Sequence, residues 1–277
     1  VKIIGSQAFY HNPNFLTKIV LPDTVTTIDV SAFSGCKEMS EIIIPEGVIS
    51  IGSRAFSNCR KLESIILPST LKAITGEFIF SDCRVLKTIN IPQGISEIPI
   101  ACFYGCSRLE VIEGIERVEK IASIAFTGCN SLKNVQLLSL RELGTQVFEN
   151  CQALESVIFG KNLSKIPIAT FGGCFSLSEI SFLGDAPEYS PQAFNNVFSL
   201  TIRRSPSSLG FENTYAGFPV IVSDQPFSDR DGDGVSDAND VFPDDPNESA
   251  DSDNDGVGDN ADARSGEVIV ELSLIHI

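Results

Sequence analysis

The sequence predicts a strand-rich α/β solenoid in which about nine units of 22–24 residues stack their short parallel strands. The first observation is the regular return of phenylalanine, which a chain built from one repeated unit produces. The second is the frame around each phenylalanine, seen in residues 51–68 as an apolar residue, a turn, Ala-Phe, Cys, Leu and a strand ending in Pro. A unit of this size cannot bury its apolar side alone, so neighbouring units must share a core. The repeated phenylalanines are Phe9, Phe33, Phe56, Phe80, Phe103, Phe126, Phe148, Phe171 and Phe194.

The composition and charge of the chain indicate which class of protein it belongs to and which kinds of partner are not expected to bind it. The chain has 277 residues, of which 43% are hydrophobic, so most of it is expected to fold. No run of about 18 apolar residues occurs, so we expect no membrane-spanning helix. The net charge is -16, yet residues 224–262 hold 14 acidic residues and one arginine, whereas residues 1–223 hold 20 acidic and 18 basic residues. The repeat region therefore lacks a basic patch, and we expect no nucleic-acid partner.

The first strand of each unit follows the phenylalanine. Its pattern, Leu-x-x-Ile-x-Ile, alternates apolar and polar positions as a strand with one buried face does. A proline such as Pro45, Pro68 or Pro92 ends the strand. The side chains predicted to enter the core are Ile42 and Ile44, Ile65 and Leu67, Ile89 and Ile91, Val135 and Leu137, and Val157 and Phe159.

The outward positions of this first strand form a file on the face expected to be concave. Alternation predicts polar residues there, so the apolar residues Val20, Ile43 and Ile66 in adjacent units are unexpected. The simpler explanation is that β-branched residues favour strands even when exposed. The alternative is that these three residues contact a binding partner. The whole file comprises Val20, Ile43, Ile66, Asn90, Glu113, Gln136, Ile158 and Ser181, and the flanking residues of its apolar part are Lys18, Glu41 and Ser64.

A second short strand follows the proline turn, for example at residues 48–51 and 163–166. Its solvent-facing positions place Glu97, Lys120, Glu142 and Lys165 in one file. Opposite charges at the strand spacing of about 4.8 Å form ion pairs worth roughly 0–1 kcal/mol each. This ladder therefore informs mainly on the register of the units.

Seven of the eight cysteines lie three residues after a repeat phenylalanine. A zinc site is disfavoured because its cysteines are spaced about two to four residues apart, whereas these are 22–24 apart. Disulfides are geometrically possible between stacked units, but seven positions cannot all pair. The favoured interpretation is a file of buried free thiols that pack as small apolar groups, with Cys102 in a similar role. The file comprises Cys36, Cys59, Cys83, Cys106, Cys129, Cys151 and Cys174.

The frame Ile-Pro-x-x-Val-x-x-Ile-x-x-x-Ala-Phe-x-x-Cys-x-x-Leu resembles the BspA-like leucine-rich repeat family over residues 1–204. The resemblance implies a curved leucine-rich-repeat solenoid of the kind displayed on bacterial surfaces, where family members adhere to host or matrix proteins. It carries over no binding residue, because the family has no shared ligand motif. Residues 205–223 depart from the frame and are expected to cap the apolar end.

Two acidic motifs in residues 224–263 predict calcium binding. Each has the form Asp-x-Asp-x-Asp-Gly-x-x-Asp-x-x-Asp, which places oxygen ligands at the spacing of a calcium loop with glycine at the sharp turn. Valine at the seventh position would supply its backbone carbonyl oxygen. A disordered acidic linker is the competing interpretation, but it would not repeat ligand spacing in register with glycine. The expected ligands are Asp229, Asp231, Asp233, Val235, Asp237, Asp240, Asp251, Asp253, Asp255, Val257, Asp259 and Asp262.

The flanks of these motifs contain Pro226, Pro243 and Pro246 instead of amphipathic helices, which disfavours an EF-hand pair. The segment instead resembles thrombospondin type 3 repeats, which implies calcium as the cofactor. It has no cysteines to staple its loops, so its folding is expected to depend on the metal.

The sequence as a whole predicts a secreted or cell-surface bacterial binding protein. Its solenoid would recognise a protein or glycan on another cell or in the matrix, and its calcium module would act as a stiffened spacer. The alternative is the accessory region of an extracellular enzyme whose catalytic domain lies elsewhere. No enzymatic activity is expected within this chain, because one usable histidine and no paired carboxylates give no catalytic set.

The two ends of the chain are expected to be incomplete or foreign. Val1 lies in the middle of a repeat, so the solenoid is expected to be truncated at its N-terminus. Residues 264–277 are interpreted as a tail. Within it, residues 272–277 resemble the translation of a sequencing adaptor and are left out of the functional interpretation.

Overall fold

A computed structural model describes residues 2–12 and 16–223 of the chain. These residues form a solenoid of about nine units with two strands per unit, numbered β1–β20 along the chain, and every pairing between units is parallel. We call the two ladders face A, which contains the first strand after each phenylalanine, and face B, which contains the second. Face A comprises β2 (Lys18–Val20), β4 (Glu41–Ile43), β6 (Ser64–Ile65), β8 (Thr88–Asn90), β10 (Val111–Glu113), β12 (Asn134–Leu137), β14 (Ser156–Phe159), β16 (Glu179–Phe182) and β18 (Thr201–Arg204). Face B comprises β1 (Ile3–Ile4), β3 (Thr27–Ile28), β5 (Ser50–Ile51), β7 (Ala73–Ile74), β9 (Glu97–Ile98), β11 (Lys120–Ile121), β13 (Glu142–Leu143), β15 (Lys165–Ile166) and β17 (Glu188–Tyr189).

The α component of the expected α/β class is almost absent. Within the described residues the helical structure is one 3-10 turn, Ile115–Arg117. It follows Gly114, which has a left-handed φ of 80° and stands where other units place an apolar core residue. The turn brings Ile115 into the core in its place. Elsewhere the length of a unit is used by two short strands and by the turn that contains the phenylalanine.

The predicted core is confirmed. All ten side chains assigned to the inner face of the first strand are buried. The repeat phenylalanines form one continuous stack in which neighbouring ring centroids lie 5.0–5.8 Å apart, with most ring planes nearly parallel. Burying each phenylalanine contributes about 1.5–3 kcal/mol, and an aromatic pair adds about 0.5–1.5 kcal/mol. The stack therefore contributes to the contact between each pair of neighbouring units.

The phenylalanine turns use left-handed backbone at two fixed positions, two residues before and two after the ring. The later position holds Gly, Asn, Asp or His, which tolerate this conformation. The earlier position includes Phe78 and Ile124, for which positive φ is sterically costly. Hydrogen bonds to the next unit stabilise the turn, since the Ile124 amide donates to the Thr145 carbonyl at 2.9 Å and the Phe126 amide donates to the Val147 carbonyl at 3.0 Å. The turns thus form a third inter-unit ladder.

Two prolines interrupt the ladder of face B. In other units the residue after the second strand donates its amide to the preceding unit, as Gly52 does to Ile28 and Ala122 does to Ile98, both at 2.9 Å. Pro99 occupies this position after β9 and has no amide hydrogen. The equivalent residue after β15 is Pro167. In the described chain, face B is accordingly divided between β7 and β9 and between β13 and β15.

A hairpin covers the C-terminal end of the repeats. Its strands are β19 (Thr214–Tyr215) and β20 (Phe218–Val222), and β20 also extends face A by pairing with β18 in parallel. The turn between them, Ala216 and Gly217, has positive φ at both residues, as a tight hairpin favours. Tyr215 is buried against Phe182 and donates its hydroxyl to the Pro187 carbonyl at 2.8 Å.

Candidate partner-binding surfaces

The three apolar residues of face A are exposed to solvent. Val20, Ile43 and Ile66 have 62%, 47% and 76% of their surface accessible. Val20 and Ile43 are direct partners in the β2–β4 pairing, and Ile66 occupies the same position one unit later. We call these three residues the apolar strip.

The edge of the apolar strip is charged. Lys18 and Glu41 are neighbours in the β2–β4 register, and their side chains form an ion pair of 2.7 Å with both groups about half exposed. An exposed pair of this kind adds roughly 0–1 kcal/mol to stability. The position of the pair is more informative than its stability contribution, because protein interfaces commonly have a polar rim beside an apolar centre.

The apolar strip ends at Asn90. The amide of this side chain accepts a hydrogen bond from the Leu67 amide at 2.7 Å and donates one to the Leu67 carbonyl at 2.8 Å. The Asn90 side chain therefore acts as the hydrogen-bond partner of the Leu67 backbone, a role that backbone groups have in other units. The file continues with the polar residues Glu113 and Gln136.

The sequence-based assignment of Ile158 and Ser181 to the solvent file was wrong. They are 7% and 1% exposed, respectively. Ser181 lies in register between Ile158 and Arg203, and Arg203 reaches across to form a 2.7 Å ion pair with Glu179. The longer neighbours thus cover the small serine, whose hydroxyl makes no hydrogen bond within the described residues. The outward file is accessible at its N-terminal end and covered near its C-terminal end.

The charged file of face B is confirmed from Glu97 to Glu142, whereas Lys165 lies beyond the interruption between β13 and β15 and is not in register with Glu142. Lys120 lies in register between Glu97 and Glu142, with ion-pair distances of 3.2 Å and 3.8 Å. Lys165 pairs in register with Glu188. A groove of about 730 Å³ runs beside this file, next to the interruption between β7 and β9, and its lining contains no histidine or cysteine. Its central charges are already paired with each other, so the groove offers no free acid or base from this file.

All eight cysteines are free and buried, as expected. Sequence reasoning missed their hydrogen bonds, because it treated the thiols as apolar groups. Each thiol of the seven-residue file donates to the carbonyl of the phenylalanine in the preceding unit, at Sγ to O distances of 3.0–3.3 Å. The constant spacing from phenylalanine to cysteine was the signal that could have revealed them.

Burial makes the thiols unreactive. It raises the pKa of Cys102, Cys106, Cys129 and Cys151 well above the usual thiol range, and that of Cys174 to about 12. Because the thiolate is the nucleophile and the metal ligand, a protonated buried thiol supplies neither function. These cysteines are structural.

The twelve calcium ligands expected from the sequence, Asp229 to Asp262, lie outside the described residues. Among residues 2–12 and 16–223, no cluster of three or more His, Cys, Asp or Glu side chains is arranged to hold a metal ion. The same part of the chain contains no helix with the length and apolar character needed to cross a membrane.

A family model described as the BspA type leucine rich repeat region matches residues 2–133 and 96–216. No curated protein sequence matches the chain significantly.

Several solved structures are similar in fold. A leucine-rich repeat protein from Bacteroides ovatus is 23% identical, with 80% of this chain and 73% of that one covered and a TM-score of 0.47. A leucine-rich cell surface protein from Faecalibacterium prausnitzii is 19% identical, with 80% and 83% covered and a TM-score of 0.54. The pneumococcal vaccine antigen PcpA is 18% identical, with 75% and 68% covered and a TM-score of 0.52. The last two similarities support the repeat fold.

Proposed function

Because this chain belongs to the family of BspA-type leucine-rich repeat regions, we propose that it is a bacterial adhesin-like protein, secreted or displayed on the cell surface. Its solenoid binds a protein on another cell or in the extracellular matrix. The names of two proteins with the same fold, a cell surface protein and a vaccine antigen, support a location outside the cell.

The apolar strip is the observation that carries this proposal. Its three side chains occupy positions where strand alternation calls for polar residues, and they stand in adjacent units. Contiguous exposed apolar surface with a polar edge marks a site of macromolecular contact. A partner that covers Val20, Ile43 and Ile66 gains their burial, at about 25 cal/mol per Å² of apolar surface removed from water.

The rigidity of the repeat stack favours this use. Val20 and Ile43 lie on the paired strands β2 and β4, Ile66 directly follows β6, and buried core residues lie beneath all three. A partner therefore meets a preorganised surface and loses little free energy in ordering it. The Lys18–Glu41 pair at the edge would contribute to orientation more than to affinity.

The buried state of the thiols supports binding over catalysis. Cysteine is the most nucleophilic residue type in the repeat region, and every one is buried. We therefore propose a binding role for this chain and no enzymatic one.

The test uses cells that display the chain on plates coated with fibronectin, laminin or collagen. The variant Ile43→Thr/Ile66→Thr should fold as the parent does and adhere less, because it removes apolar surface and keeps β-branched side chains. The control Val30→Thr/Ile49→Thr changes two exposed β-branched residues outside the strip, which are 42% and 44% accessible. Equal adhesion of the parent and the strip variant would refute the site, and absence of adhesion by the parent would refute these partners.

We also propose that residues 224–262 bind calcium and act as a stiffened spacer. Support comes from the repeated ligand spacing in the sequence, since the carboxylates repel one another without a cation. Calorimetry of the full chain should show calcium uptake with a dissociation constant of about 10⁻⁴ to 10⁻³ M. Unchanged uptake after Asp231→Ala/Asp253→Ala, or no uptake at millimolar calcium, would contradict the proposal.

A further inference from the structure

Two exposed aromatic rings stand at the opposite end of the solenoid from the apolar strip. Phe175 and Phe198 are 54% and 76% accessible, and their rings are parallel within 8°, with centroids 6.4 Å apart. They belong to the last two units and lie four residues after the buried Phe171 and Phe194. Packing does not explain them, because the core at this level is filled by Phe171, Phe194 and their neighbours.

From the second unit onward, the position that these rings occupy is exposed or half-buried. In the second to seventh units it holds charged, amide or hydroxyl side chains, all of which are polar. Phe175 and Phe198 therefore place apolar rings at a position that is otherwise occupied by polar residues. From the second unit onward the residues are Lys37, Arg60, Arg84, Ser107, Asn130, Gln152, Phe175 and Phe198.

The two segments that carry the rings contain no charged residue, and the one carboxylate of the preceding unit shown against them is Glu149, whose side chain lies beside Gly172. Residues 169–178 and 189–202 contain no Asp, Glu, Lys, Arg or His. The exposed polar groups beside the rings are amides and hydroxyls, which donate and accept hydrogen bonds without favouring either sign of charge. They are Gln152, Ser176, Asn195, Asn196 and Ser199.

The geometry points to a binding site for a neutral glycan at Phe175 and Phe198. A sugar ring has faces of C–H groups and an edge of hydroxyls. The C–H face packs on the electron-rich face of a phenylalanine ring, and the hydroxyls pair with the surrounding amides and serines. Charge complementarity favours this ligand class, because the segments that carry the rings supply no cationic or anionic side chain and Glu149 beside Gly172 repels a polyanion. A single-stranded nucleic acid also stacks on aromatic rings, but it requires a positively charged groove that this patch lacks.

This site goes beyond the proposed protein-binding strip and does not depend on it. The strip belongs to the first three units and the ring pair to the last two, so one can fail while the other holds. A protein that uses both would attach to a protein through one end and to a polysaccharide through the other.

The test is affinity electrophoresis of the full chain in gels that contain neutral polysaccharides, namely soluble starch, xylan, mannan and glycol chitin, with heparin as a polyanionic control. The parent should be retarded by at least one neutral polysaccharide and not by heparin. Phe175→Gln/Phe198→Gln places at both positions the residue that the seventh unit carries naturally at Gln152. This variant should keep the melting temperature and weaken glycan binding by about tenfold or more.

The matched control is Ile43→Thr/Ile66→Thr, which alters the apolar strip and should leave the retardation unchanged. No retardation of the parent by any of the four neutral polysaccharides would overturn the inference. Equal retardation of the parent and the phenylalanine variant would do the same. Light scattering supplies a third outcome, since a parent dimer that the phenylalanine variant converts to a monomer would identify a second copy of this chain as the occupant instead.

Discussion

Raising the pH above about 9 should destabilise the solenoid through its buried thiols. The pKa of an unfolded cysteine is about 8.5, whereas burial raises the pKa of Cys102, Cys106, Cys129 and Cys151 well above that value in the folded chain. Below pH 8.5 both states hold the thiol proton, so these residues add no pH dependence. Above it, the unfolded state releases protons that the folded state retains, and the free energy of unfolding falls.

The expected size of the effect is large. Each thiol with a strongly raised pKa removes about 1.4 kcal/mol per pH unit above 8.5, so these four remove roughly 5–6 kcal/mol per unit. A typical free energy of unfolding is about 5–15 kcal/mol. Most of the stability should therefore be lost within about two pH units, well before the folded thiols themselves ionise.

Urea unfolding followed by circular dichroism, in reductant and between about pH 7 and pH 10, measures this slope. The variant Cys102→Ala/Cys106→Ala should lose some stability at neutral pH and should show a slope smaller by about 3 kcal/mol per pH unit. A free energy of unfolding that stays constant between about pH 8.5 and pH 10 would refute the reasoning. So would an identical slope in the variant.

Three further changes test the packing of the units by chemical denaturation. Phe103→Ala removes a ring that lies 5.4 Å from Phe80 and 5.3 Å from Phe126, so it should cost about 3–5 kcal/mol, and a loss below about 1 kcal/mol would contradict the stacked core. Gly144→Ala should cost about 1–3 kcal/mol because its Cβ would press on the Ser123 amide and approach the Ala122 carbonyl carbon to 2.7 Å, whereas Gly5→Ala meets nothing within 4 Å and should be nearly neutral. Asn90→Ala leaves the Leu67 amide and carbonyl without their side-chain partner and should cost about 1–3 kcal/mol, an expectation that an unchanged denaturation midpoint would contradict.

The features that could be predicted from the sequence are those set by its two periods, the alternation along each strand and the length of a unit. The alternation along each first strand identified Ile42, Ile65 and the other core residues, and the unit length placed Lys120 beside Glu97 and Glu142. Pro99 carried a further signal that went unused, because a proline cannot donate to a ladder and so interrupts it.

Other features depend on contacts that a single sequence does not display. Positive φ at Ile124 contradicts its intrinsic preference and is stabilised by hydrogen bonds that this turn donates to carbonyls of the next unit. The burial of Ser181 follows from the reach of Arg203 in the neighbouring strand. The exposure of the stacked Phe175 and Phe198 was not predicted, because residue type alone does not distinguish an exposed phenylalanine from a buried one.

The most direct test of the binding role is the dissociation constant of the purified chain for an immobilised matrix protein, measured by interferometry on fibronectin, laminin and collagen. The parent and the Val30→Thr/Ile49→Thr control should bind one of them equally. Ile43→Thr/Ile66→Thr should weaken that binding by about tenfold, since loss of about 1.4 kcal/mol of apolar contact corresponds to that factor. Equal dissociation constants for all three proteins would contradict the claim that the apolar strip is the binding surface.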